Sequence, residues 1–110
     1  MEVPQITVDV VRAHLEAGGF LLDVREVDEY RGAHVPGAVL IPLSELESRV
    51  GEVPDVEIDV ICKTGGRSQR AAEYLASRGV AVRNVAGGTL AWIDLGWPTA
   101  TGDEPGSIAS

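Results

Sequence analysis

The chain has 110 residues, 45% of them hydrophobic and 24% charged, with a net charge of −8. That is the size and balance of one globular domain with its own core, which excludes wholesale disorder. No apolar run approaches the roughly 20 residues that cross a bilayer, Met1-Glu2-Val3-Pro4 lacks the basic and apolar stretches of a signal peptide, and the acidic balance disfavours nucleic acid and anionic membranes.

In chain order, Thr7 reads as the N-cap of a helix carrying Val8, Val11 and Leu15 at helical spacing, closed by Gly18-Gly19. Phe20-Leu21-Leu22 is a short apolar run ending at Asp23, the pattern of a buried strand. Residues 26–31 form a short helix, His34-Val35-Pro36-Gly37 a turn, and residues 38–41 a strand. Ser44 starts a helix to Val50, with Glu47 completing a capping box. Val56, Ile58 and Val60 alternate with acids before Ile61 and Cys62, as in a strand entering the interior. Residues 66–78 place Ala71, Ala72 and Leu75 on one helix face and stop at Gly79. Residues 80–85 form a strand, and residues 89–95 a last helix closed by Gly96 and Pro98. The domain spans 1–98. Residues 99–110, rich in Gly, Ser, Thr and Pro, form a flexible tail.

Strands alternating with helices imply βαβ units and a mostly parallel sheet, in which sites gather at the carboxyl ends of strands. Asp23 and Cys62 both fall at such ends. Charge is uneven: residues 60–90 carry Lys63, Arg67, Arg70, Arg78 and Arg83 against Glu73 alone, a net +4 (5 − 1) inside an acidic chain. A small anion is the expected ligand. Cys62 is the one cysteine, so it forms no internal disulfide, and with two histidines it makes no zinc site.

The chemistry centres on Ile61-Cys62-Lys63-Thr64-Gly65-Gly66-Arg67-Ser68-Gln69-Arg70. A strand delivers the cysteine, two glycines let the backbone curl, and a helix begins. Successive N–H groups then converge on one spot at a helix N-terminus, with Lys63 and Arg67 adding positive charge. All of these favour thiolate over thiol, so Cys62 is expected to be a partly exposed nucleophile with a lowered pKa. Protein tyrosine phosphatases also combine a cysteine, a tight loop and an arginine, but with five residues between Cys and Arg. Here four intervene, and the smaller loop suits one extra atom on the thiolate better than a tetrahedral oxyanion. Asp23 and Arg25 read as a structural ion pair supporting the loop. His34 reads as a residue that pins backbone beside its Pro-Gly turn, and His14 as solvent-facing. Gly87-Gly88 lacks the companions of a phosphate or dinucleotide loop and reads as a tight turn. Trp92 and Trp97 are core and cover for the last helix, with Trp97 a candidate cleft wall. The ten acids from Asp23 to Asp59 read as a solvated face.

Four stretches occur together in one order: Leu21-Leu22-Asp23-Val24-Arg25-Glu26; Glu29-Tyr30 with Gly32-Ala33-His34-Val35-Pro36-Gly37-Ala38; residues 62–68; and Gly87-Gly88 with Trp92, Gly96 and Pro98. In these the chain resembles single-domain rhodanese-like sulfurtransferases. The resemblance implies a five-stranded, mostly parallel α/β sheet with helices on both faces. It implies a catalytic Cys62 carrying a persulfide between a sulfur donor such as thiosulfate and a thiophilic acceptor (cyanide, a thiol or a protein). Residues Lys63, Thr64, Gly65, Gly66, Arg67 and Ser68 would form the substrate loop, with no cofactor and no metal. Two alternatives stand beside a turnover enzyme: a persulfide carrier serving a dedicated protein partner, and a phosphatase or arsenate reductase on the same scaffold. A cytoplasmic monomer, acidic and without an obvious apolar stripe, is the expected state.

Overall fold

The structure is a computed structural model describing residues 2–108. Its strands are β1 Gln5–Ile6, β2 Phe20–Asp23, β3 Val39–Leu40, β4 Ile58–Ile61 and β5 Val82–Val85. They pair throughout in parallel, in the order β1-β5-β4-β2-β3. The helices are α1 Val8–Glu16, α2 Val27–Gly32, α3 Leu43–Leu46, α4 Gly66–Ser77 and α5 Gly88–Asp94, with one 3₁₀ turn at Val50–Glu52. No helix among the described residues is long and apolar enough to cross a membrane.

Alternation along the central strands builds two cores. Ile58, Val60 and Cys62 face one side, packing with Leu22 and Val82 against Leu46 of α3 and Ala71, Ala72 and Leu75 of α4. Leu21, Ile61 and Val85 face the other side, against Val8 and Val11 of α1, Tyr30 of α2 and Trp92 of α5. Burial on both faces is what an all-parallel sheet requires.

Several expectations are corrected. The strand β1 was not legible in sequence; it exists through its pairing with β5, Gln5 opposite Asn84 and Ile6 opposite Val85. Thr7 holds the N-cap position of α1 but makes no side-chain cap bond; its hydroxyl donates to Asp9 instead. Ser44 is not a cap: α3 begins one residue earlier behind Pro42 and lasts one turn. The capping box lies at α2, between Glu26 and Glu29. His14 is not solvent-facing, and Asp59 is not part of a solvated face. Asp59 is 1% exposed, with His14 Nδ1 at 2.8 Å from Oδ2 and Arg83 Nε donating to Oδ1 at 2.8 Å. A carboxylate carried inward by strand alternation needs such partners.

The segment after Pro98 lies against the domain rather than apart from it. Ala100 and His34 exchange two backbone bonds, at 2.9 and 2.8 Å. Gly37 N–H donates to Pro105 O at 2.8 Å, and Ile108 packs on the second core. His34 is fully buried, with Nδ1 at 2.8 Å from Tyr30 O and Nε2 at 2.9 Å from Glu104 O. It stacks on Tyr30 at 3.6 Å. The backbone-pinning reading of His34 therefore extends to residues far along the chain. Residues 109 and 110 of the expected tail lie outside the described residues.

Candidate active site

Because every strand is parallel, the loops after β2, β4 and β5 open on the same edge of the sheet. The loop after β4 leaves at Cys62 and turns at Gly65, whose φ of 115° makes it the left-handed N-cap of α4. That turn aims the Gly65 N–H at the Cys62 sulfur, 3.1 Å away. The Ser68 hydroxyl, buried in the first turn of α4, donates to the same Sγ at 3.3 Å. Burial pushes the Cys62 thiol up; the Ser68 hydroxyl and the N–H groups of Ser68, Gly65 and Thr64 outweigh it, and the net shift is downward. The expected lowering is present. The expected partial exposure is not, since Cys62 is 1% exposed. The sulfur forms the floor of the loop.

The loop after β5 closes one wall. Gly88, with φ at 61°, passes so near that a Cβ there would sit 2.4 Å from Lys63 O and 2.7 Å from Cys62 O. Glycine at 88 is thus a requirement of close backbone approach. Thr89 N–H and Oγ1 both donate to Cys62 O, at 2.9 and 3.0 Å, and Leu90 N–H donates to Lys63 O at 3.1 Å. These bonds lock the α5 start onto the cysteine loop.

The loop after β2 supplies charge. Asp23 is fully buried and takes bonds from Arg25 N, Nε and Nη2. Arg25 Nη2 also donates to Ala33 O at 2.8 Å, tying β2 to the end of α2. Arg67 does not point its charge at the sulfur as a free cation. Its two terminal nitrogens hold Glu29 at 2.7 and 2.9 Å, which lowers the Glu29 carboxyl to about 2 through the Arg67 hydrogen bonds. The Lys63 side chain is exposed and its ammonium makes no hydrogen bond or ion pair among the described residues, so it is an available cation at the rim.

A cleft of about 200 Å³ lies beside the loop at Lys63, lined by Arg25, Glu29, Lys63, Thr89, Leu90 and Ile93. Glu29, Thr89, Leu90 and Ile93 were not singled out as site residues in the sequence. Only the Gly87-Gly88 pair hinted that backbone came close here. Trp97 is not a wall of this cleft. It packs edge-on to Trp92, with the Arg12 guanidinium 4.8 Å from its ring. A second cavity of similar volume, lined by Pro36, Pro98 and residues of 99–108, is separate from Cys62. No cluster of three metal-ligating side chains occurs among the described residues.

The chain is thus of the class of parallel α/β domains that carry a cysteine into a cradle of N–H and O–H donors at a helix start. The chain belongs to the rhodanese-like domain family, whose model matches residues 7–95. It is similar to thiosulfate sulfurtransferase 18 of Arabidopsis thaliana, 33% identical over an alignment that covers 94% of this chain and 88% of that one. It is also similar to Bacillus subtilis YrkF, which bears a sulfur carrier protein's name, at 39% identity over 94 residues, 82% of this chain. This chain spans 51% of the length of YrkF. Among solved structures, a rhodanese-related protein from Thermoplasma volcanium superposes with a TM-score of 0.82 at 32% identity, over 88% of this chain and 97% of that one. The human single-domain sulfurtransferase gives 0.74 at 29% identity, over 84% and 97%.

Proposed function

We propose that the protein is a sulfurtransferase that moves sulfane sulfur from a small anionic donor such as thiosulfate to a thiophilic acceptor through a Cys62 persulfide. The observation that carries this reading is the Cys62 sulfur at the floor of a six-residue loop, receiving Gly65 N–H at 3.1 Å and Ser68 O–H at 3.3 Å. The Cys62 thiolate attacks the outer sulfur of thiosulfate. The S–S bond of the donor breaks, and sulfite leaves with its electron pair. Cys62 then carries a terminal sulfur whose negative charge rests in the field of the loop N–H groups and the α4 N-terminus. An acceptor nucleophile (cyanide, a thiol or a partner's cysteine) bonds to that sulfur, and the Cys62 thiolate is restored. Lys63 draws the anionic donor to the rim. Two half-reactions through a covalent intermediate imply ping-pong kinetics.

Leu90 and Ile93, 41% and 42% exposed on the cleft wall, support a protein-borne acceptor as a second reading. The Glu29–Arg67 pair argues against a phosphatase, because the arginine a phosphate would need is already engaged. The test is intact mass under non-reducing conditions after incubation with thiosulfate, beside Cys62→Ser. One added sulfur atom in the wild type alone, removed by cyanide, is the expected result. No added sulfur together with p-nitrophenyl phosphate turnover would overturn it. Sulfur gained from thiosulfate but passed only to a protein thiol would select the carrier reading.

A further inference from the structure

Asn84 lies on β5 and is 3% exposed. Its Nδ2 donates to Gln5 Oε1 at 2.8 Å and to Gly65 O at 3.3 Å. Its Oδ1 is buried without a hydrogen-bond partner among the described residues. An orphaned buried acceptor is unfavourable, and an aliphatic side chain of similar shape would avoid it. The amide must therefore be useful for its donor. That donor reaches the carbonyl of Gly65, whose N–H binds the Cys62 sulfur.

Gly65 has no Cβ, and nothing lies closer than 3.6 Å to the place where one would be. The backbone of Val85, Ala86 and Gly87 lies around that position at 3.6 to 3.8 Å, and hydrogen bonds fix the carbonyl of Gly65. The bond from Gln69 N to Gly65 O, 3.1 Å, belongs to the opening turn of α4 and follows that helix. The bond from Asn84 comes from the sheet. Gln5, register partner of Asn84 across β1 and β5, accepts from the Asn84 amide, so that Nδ2 rather than Oδ1 faces the loop. Gln5 Nε2 is in turn bonded to Gln69 Oε1 at 2.6 Å.

We propose that Asn84 is a positioning residue for Cys62. It ties the Gly65 carbonyl to the sheet and so restrains the φ and ψ of that residue, which keep the N–H on its other side directed at the sulfur, and Gln5 sets the orientation of the amide. The role concerns the thiolate, which the sulfurtransferase reading uses, but its test does not require sulfur transfer.

The experiment is the rate of Cys62 alkylation by iodoacetamide against pH, for wild type, Asn84→Leu and Gln5→Met, with urea denaturation on each. Asn84→Leu removes the donor and the orphaned acceptor together. Its titration midpoint moves up, and alkylation at neutral pH slows by about fivefold, the size expected for one lost hydrogen bond, while denaturation shows a folded protein. Gln5→Met changes an exposed side chain, keeps the fold secure, and moves the midpoint in the same direction by less. Should Asn84→Leu fail to fold, Gln5→Met alone decides. A wild-type midpoint in the folded variants overturns the proposal. Sulfur loading from thiosulfate, measured by mass on the same samples, reports separately on the sulfurtransferase reading.

Discussion

Replacing Gly88 by alanine tests whether the cysteine loop and the α5 start are one mechanical unit. The new Cβ would meet Lys63 O at 2.4 Å, Lys63 C at 2.6 Å and Cys62 O at 2.7 Å. Ordinary contacts are about 3.5 Å or longer, so the two segments must part by about 1 Å. That parting stretches the Thr89 and Leu90 bonds to the Cys62 and Lys63 carbonyls, now 2.9 to 3.1 Å. A side chain at φ 61° costs about 1 kcal/mol or more, and forcing atoms into a packed site costs about 1–3 kcal/mol. The expected loss is therefore about 2–4 kcal/mol. Gly32→Ala is the control, since a Cβ there meets nothing within 4 Å and φ is not positive. Urea denaturation measures the loss, and the pH profile of Cys62 alkylation reads the loop directly. If Gly88→Ala matched wild type in both, the close approach would not constrain the site, and the account of this wall would be wrong.

Removing the Ser68 hydroxyl by Ser68→Ala leaves the Cys62 sulfur with its backbone donors alone. The alkylation midpoint of Cys62 moves up, and the rate at neutral pH falls by about tenfold, the value of one hydrogen bond to a charged group; an unchanged profile would deny Ser68 that role. Glu29 is ordinarily half-protonated near 4.5 and is lowered to about 2 in the fold. A lowered carboxyl contributes stability that is fully present above its unfolded value and is lost as pH falls from about 4.5 toward 2. With Glu29 and Arg67 side chains 30% and 33% exposed, screening reduces this to about 1 kcal/mol, and urea midpoints of Glu29→Gln should flatten in that window. Asp23→Ala leaves Arg25 buried without its carboxylate and should cost about 3–5 kcal/mol. A variant with wild-type stability and no sulfur transfer would instead place Asp23 in the chemistry.

Long, strongly patterned elements were legible in the sequence. The helix expected over 66–78 is α4 Gly66–Ser77, and the strand ending at Cys62 is β4 Ile58–Ile61. Both carry their own periodicity and glycine stops. What depended on distant partners was not legible. Two residues, Gln5 and Ile6, carry no alternation and become a strand only beside Asn84 and Val85. The Ser44–Glu47 spacing matched a cap, but Pro42 had already started the helix with its fixed φ. In the site, Cys62 and its glycine loop were evident because the chemistry is local in sequence. Glu29 meets Arg67 across 38 positions, and no local pattern announces that the expected free cation is neutralised.

Both borders of the sheet are short. The outer strands, Gln5–Ile6 and Val39–Leu40, have two residues each, with Pro4 directly before the first and Pro42 two positions after the second. A border strand normally presents a row of unpaired N–H and C=O groups on which another chain can grow, and brevity and proline both interrupt that row. The central strands, apolar enough to nucleate aggregates if bare, are thereby flanked by borders too short to template an added strand. Lengthening either border, for example by Pro42→Val, would expose more ladder in a chain whose charge of −8 would then be its main remaining barrier to self-association.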